Sequence, residues 1–164
     1  MFDLFGELDS MEELNQSADG LRAEGDLVNL QKLAEENGIP AEIAQMYGEG
    51  DLDLLCEDAA TAALGKLTVE AAGMKLEGIL SDWRAYIEGQ CLEDEAFARQ
   101  VRKKGKSMEG CLAALLMWSF KHQMPVDRKI LTAAKVTASK VTLGIPGMGQ
   151  ARQIIREYYM GGTR

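Results

Sequence analysis

Apolar side chains recur at three- and four-residue spacing along most of this chain, and nearly every run opens on a residue that can cap a helix. That period aligns the apolar positions on one helix face and leaves little of the strict alternation a strand needs. The pattern therefore restricts the chain to packed helices. Ser10 with Glu13 forms a capping box, Met11, Leu14, Ala18 and Leu21 face inward, and Gly25 ends the run. Asp26 caps a second helix carrying Leu27, Leu30, Leu33 and Ala34, which stops at Gly38. Pro40 suits the first turn of a third, short helix with Ile43 and Met46 inside. Residues 53–72 fit either one long helix or a broken pair.

The second half continues in the same way. Ile79, Leu80, Trp83, Tyr86, Ile87 and Cys91 mark an amphipathic helix over about 76–92. Asp94 caps a shorter one with Phe97 and Val101, which runs into Arg102-Lys103-Lys104 and stops at Gly105. Cations at a helix C-terminus oppose its negative dipole end, a plain stabilising role. Ser107 opens the most apolar helix, whose Cys111, Leu112, Leu115 and Leu116 suggest the central core helix of this half. Asp127 caps a short helix with Ile130, Leu131 and Ala134 inside. The period fails only over residues 136–147, where β-branched residues precede the turn Gly144-Ile145-Pro146-Gly147. The last helix spans about 148–160, Gly161-Gly162 ends it, and Thr163-Arg164 should fray. The expectation is an all-α, compact bundle of roughly eight helices, with one short extended segment allowed near residues 136–145.

Charge is distributed unevenly. Residues 1–82 hold 19 Asp/Glu against 4 Lys/Arg, and residues 83–164 hold 7 against 14. The expected organisation is a single helical domain over 1–164, with an acidic N-terminal subdomain of about 1–74 and a basic C-terminal subdomain of about 75–164. Cys56, Cys91 and Cys111 are widely spaced among apolar neighbours and fit reduced core thiols. With no CxxC and a single histidine, His122, neither a metal nor any other cofactor is expected. No apolar run approaches the roughly 20 residues that span a bilayer, and Met1 to Gly6 does not resemble a signal peptide. A cytoplasmic protein without membrane contact is expected.

Fragments of catalytic motifs fail on context. Gly105-Lys106-Ser107 ends like a phosphate-binding loop, but Gln100 stands where that loop needs glycine. Gly147-Met148-Gly149 begins like a dinucleotide fingerprint, but Arg152 takes the place of its third glycine. Asp51 and Asp53 start like a calcium loop that Leu55 and Cys56 interrupt. A helix-turn-helix over 130–142 would have its recognition helix cut short by Pro146. His122 is the sole histidine available as an activating base. The chain is expected to be no enzyme.

Two charged features remain. Arg99, Arg102, Lys103, Lys104 and Lys106 form a cluster that could neutralise phosphates, or could be a solvated helix end that pairs with the acidic half. Arg152 and Arg156 form a second basic pair. The acidic half offers Glu35, Glu36, Glu49, Asp51, Asp53, Glu57 and Asp58 as a partner-binding surface. Closely spaced carboxylates can compete for a groove built for nucleic acid. Net charge repels free nucleic acid, which is therefore not an expected partner of the whole chain. Head-to-tail self-association, including a homodimer, is left open.

Several landmarks in order resemble one family. They are Met1-Phe2-Asp3-Leu4-Phe5-Gly6-Glu7, Leu33-Ala34-Glu35-Glu36-Asn37-Gly38-Ile39, Val101-Arg102-Lys103-Lys104-Gly105-Lys106, Cys111-Leu112-Ala113-Ala114-Leu115-Leu116, Leu143-Gly144-Ile145-Pro146 and Ile154-Ile155-Arg156-Glu157-Tyr158-Tyr159. Across nearly its whole length the chain resembles the PcfK-like proteins of conjugative plasmids and integrative elements of Firmicutes. Part of that family is similar to anti-CRISPR proteins that inhibit the type II-A RNA-guided Cas nuclease. The resemblance implies a non-catalytic inhibitor in a bacterial host cell that binds the nuclease stoichiometrically and blocks DNA cleavage. Such a nuclease holds its heteroduplex in a positively charged channel and reads the PAM with arginines, two surfaces an acidic helical domain could occupy. The alternative is a conjugation accessory protein that binds DNA or relaxosome components through Arg99 to Lys106.

Overall fold

The computed structural model describes residues 2–161 and is built almost wholly of helices. They are α1 (Met11–Glu24), α2 (Leu27–Glu36), α3 (Ala41–Glu49), α4 (Ala59–Ala72), α5 (Ile79–Glu93), α6 (Glu95–Arg102), α7 (Met108–Lys121), α8 (Arg128–Ala133) and α9 (Met148–Met160). Two short strands, β1 (Met124–Pro125) and β2 (Thr142–Leu143), pair antiparallel, with Met124 opposite Leu143. The extended segment expected near 136–145 is this second strand. The expected fraying of Thr163 and Arg164 lies outside the described residues.

The capping residues act as their chemistry predicts. Ser10 Oγ accepts from the Glu13 amide at 3.1 Å, and the Glu13 carboxylate accepts in turn from the Asp9 amide at 2.7 Å. Asp26, Asp58, Asp94 and Asp127 each accept a backbone N–H of the helix they open. Asp58 settles the ambiguity over 53–72: the helix begins at Ala59, and residues 51–58 form no helix.

The described residues form two compact units that divide between Gly110 and Cys111. The division does not fall at the change of charge near residue 75, because α4 packs against both α5 and α6 and ties residues on either side of that point together. Residues 1–110 hold 24 Asp/Glu against 10 Lys/Arg, a net of −14, and residues 111–164 hold 2 against 8, a net of +6. The charge thus segregates by unit.

In the first unit, Leu14, Ala18, Leu30, Leu33, Ala44, Tyr47 and Leu55 meet in one apolar cluster, with Phe5 and Leu8 packed against it. The turn after α2 lies directly on α4. Gly38 has φ +65, and a Cβ on Gly65 would collide with the carbonyl oxygen of Asn37. Only two glycines permit this approach.

In the second unit Cys111, Leu112, Leu115, Ala151, Ile155 and Tyr159 are buried. The wide burial expected of α7 is not observed: Leu116, Met117 and Phe120 are exposed, Phe120 at 74%. Nor does α8 bury Ile130, and none of its residues is buried.

Candidate functional site

The N-terminal segment determines what the basic run can do. Leu4 and Phe5 donate their amides to the Glu36 carboxylate at 2.8 and 3.2 Å. The segment then lies against the end of α6. Lys103 Nζ donates to Asp9 Oδ2 at 2.7 Å, and the Lys104 amide donates to Asp9 Oδ1 at 2.9 Å. Lys104 Nζ stands 3.7 Å from Glu13 Oε2. Arg99 bridges Glu12 at 2.7 Å and Glu95 at 3.0 Å.

These pairs hold the Asp9 carboxyl below its usual range, chiefly through the Lys103 hydrogen bond, and bring Glu12 down to about 2, chiefly through Arg99. Arg99 and Lys103 are raised in return by Glu12 and Asp9.

The shared basic face expected of Arg99, Arg102 and Lys103 does not form. Arg102 follows Ala98 by one helical turn, and both are buried with Phe97 and Val101. Its Nη2 donates to Asn37 Oδ1, while Nε and Nη1 have no hydrogen-bond acceptor among the described residues. Burial lowers its pKa from the ordinary arginine value. A guanidinium 1% exposed cannot reach a nucleic-acid phosphate. Lys106 sits in the loop between α6 and α7, and its carbonyl accepts from Lys66 Nζ at 2.6 Å.

That lysine was not singled out from the sequence. Lys66 is wholly buried in α4 and binds Glu7 Oε1 at 2.5 Å and the carbonyls of Lys103 and Lys106. Glu70, one turn on, accepts the Met108 amide at 2.8 Å. Burial raises the Glu70 pKa, against the pull of that amide and of Lys66. The available signal was a lone i,i+4 Lys–Glu pair inside the Ala- and Leu-rich run of residues 59–72.

The expected acidic surface divides by role. Glu36 anchors the N-terminal segment, and Asp58 caps α4, where the Thr61 amide lowers its pKa. Glu35, Glu49, Asp51, Asp53 and Glu57 are exposed, and no cation among the described residues lies within ion-pair distance of them. Glu35 and Glu36 line an open groove of about 670 Å³ together with Asp3, Lys32 and Val69. Glu57 edges a second groove of about 230 Å³, lined by Ile39, Ile43, Leu52 and Leu54. Asp51 and Asp53 stand on the 50–58 loop that carries its outer wall.

Among the described residues no three His, Cys, Asp or Glu side chains are grouped to hold a metal ion. In the second unit, His122 stacks on Trp118 with ring centroids 4.1 Å apart, and its Nδ1 lies 2.8 Å from the Trp118 carbonyl. No described helix is long and apolar enough to cross a membrane. Arg152 and Arg156 are exposed on α9. Compared with known proteins, the chain matches no family model, no curated protein and no solved structure.

Proposed function

We propose that this chain is a non-catalytic binding protein that engages a basic partner surface through its acidic first unit. The partner suggested by the PcfK-like resemblance is a type II-A RNA-guided nuclease in a bacterial cell, whose DNA cleavage the chain would block by stoichiometric binding. The observation that carries the reading is the division of charge in the first unit. Its basic run is largely engaged by its own acids, while Glu35, Asp51, Asp53 and Glu57 are exposed with no cation among the described residues within ion-pair distance. Exposed carboxylates of this density raise the association rate with a positively charged groove and resist free nucleic acid.

The test is target-DNA cleavage by guide-loaded type II-A nucleases of several orthologues while the chain is titrated. Loss of cleavage near equal molar ratio supports the reading, and undiminished cleavage at large excess with every orthologue refutes the nuclease assignment.

One observation favours a second reading, a DNA-binding accessory of conjugation. Residues 111–164 carry a net of +6, with Arg152 and Arg156 exposed. The engaged state of Arg99, Lys103 and Lys104 weighs against the residues first expected to carry it. Under this reading the chain binds any duplex, with affinity falling steeply as salt rises. Under the inhibitor reading it does not.

A further inference from the structure

The loop over residues 50–58 alternates acidic and apolar side chains. Asp51 and Asp53 are exposed, Leu52 between them is half-buried, and Leu54 is 42% exposed, just ahead of the buried Leu55 and Cys56. The loop is fastened to α1 at two points. Asn15 donates to the Cys56 carbonyl at 2.8 Å and accepts from the Cys56 amide at 2.9 Å. Arg22 Nη1 donates to the Leu52 carbonyl at 3.1 Å and has Asp19 as its own counter-charge at 3.6 Å. The wall carried by Leu52 and Leu54 is therefore formed before any partner arrives, which lowers the ordering cost of binding.

This wall bounds the groove of about 230 Å³, whose other sides are Ile39 and Pro40 ahead of α3, Ile43 in α3 and Thr61 in α4. The volume falls below the roughly 300–1,000 Å³ of small-molecule sites and suits a side chain or two. The lining is mostly apolar, so burying an apolar group there is favourable while a polar ligand finds little to orient it. The charge around the groove has one sign. Among the described residues that line it, Glu57 is the one charged group, and Asp51 and Asp53 are chain neighbours of Leu52 and Leu54. No cation among the described residues lies within ion-pair distance of these three acids. An apolar floor inside an acidic rim complements an apolar side chain flanked by cations. The floor supplies the anchor, and the rim attracts cations over a screening length of about 8–10 Å.

We propose that this groove is the point at which the chain grips its basic protein partner, taking in one apolar side chain whose neighbours on the partner are arginine or lysine. The inference rests on the reading that the partner surface is basic, and adds the place of contact and the chemistry of the anchor.

The test has two arms, both on the full chain. In the first, amide chemical shifts are followed while a short glycine–serine peptide carrying one leucine between two arginines is added to millimolar concentration. Saturable shifts confined to residues 39–43, 52–57 and 61 are expected, and they should be lost when the peptide leucine becomes alanine or its arginines become glutamate. Leu54→Lys puts a like charge at the groove from an exposed position and should weaken binding by about tenfold or more, whereas Leu54→Met should keep it. Glu57→Gln should weaken binding less and flatten its salt dependence. No shifts, shifts centred elsewhere, shifts indifferent to the peptide leucine, or binding undiminished in Leu54→Lys would each overturn the proposal. The second arm repeats the cleavage titration with Leu54→Lys and Leu54→Met. Inhibition lost in the first and kept in the second supports the groove as the contact, and inhibition equal in both overturns it. Peptide binding at the groove by a chain that inhibits no orthologue would refute the nuclease assignment and support the groove.

Discussion

Replacing Lys66 by methionine keeps most of the apolar stem and removes every bond the ammonium makes. In the native chain that group holds Glu7 at 2.5 Å, the Lys106 carbonyl at 2.6 Å and the Lys103 carbonyl at 2.9 Å, with Glu70 at 3.9 Å. The substitution leaves Glu70, only 7% exposed, without its nearby cation. Removing one partner of a buried ion pair costs about 3–5 kcal/mol, because the other charge stays desolvated. Set against a typical total of about 5–15 kcal/mol, the variant should fold but lose much of its margin. With a urea slope of roughly 2 kcal/mol per molar, the midpoint should fall by about 2 M. Trp83 lies in the first unit and Trp118 in the second, so a Trp118→Phe background lets fluorescence follow the first unit alone. The loss should also depend on pH. Burial raises the folded pKa of Glu70, so the stability tied to its proton is fully present below the unfolded value and lost as pH rises through the folded one. Without Lys66 that pKa rises further, and the penalty should be larger at about pH 8 than at about pH 5. Adding Glu70→Gln should recover part of the loss. A penalty below about 1 kcal/mol, or one that ignores pH, would refute the reasoning.

Reversing Glu35, Asp51, Asp53 and Glu57 to lysine should weaken nuclease inhibition while shifting unfolding by no more than about 0.5 kcal/mol per site, since all four are exposed. Cleavage titration and urea melts read the two effects separately. Gly65→Ala should cost about 1–3 kcal/mol or more through its collision with the Asn37 carbonyl, whereas Gly20→Ala, on the open face of α1, should stabilise by up to about 1 kcal/mol in the same assay. Glu12 and Asp9 have folded pKa values below their unfolded ones, so the stability they contribute is present above the ordinary carboxylate range and lost as pH falls, for Glu12 through about 2. Acid titration of Glu12→Gln and Asp9→Asn should show a shallower decline than the parent chain. Burial pushes the Cys56 thiol up to about 11 and those of Cys91 and Cys111 up to about 12, so all three should resist iodoacetamide at neutral pH and react on unfolding.

Most of the helices could be read from local chemistry. Ser10, Asp26, Asp94 and Asp127 open the elements expected of them, and α9 spans the residues its apolar spacing marks. Such features depend on neighbours three or four residues apart. The site depends on partners far along the chain. Nothing local to Arg102 says that Asn37 and α4 will cover it, or that Asp9 will claim Lys103 from 94 residues away. Exposure misled in the other direction at α7, where apolar content implied burial and Leu116, Met117 and Phe120 face outward.

The N-terminal segment gives the electrostatic character of this protein an address. Glu7 and Asp9, with Glu12 and Glu13 at the start of α1, are the counter-charges of Lys66, Lys103, Arg99 and Lys104. A protease or a genetic truncation that removed the first 13 residues would strip those four acids together and leave Lys103 and Lys104 exposed without them, beside an Arg99 that keeps Glu95. Polyanions would then meet uncompensated cations there, with no change to the cationic residues themselves. Tags, fusions and library boundaries placed at this end therefore act on binding specificity as well as on folding.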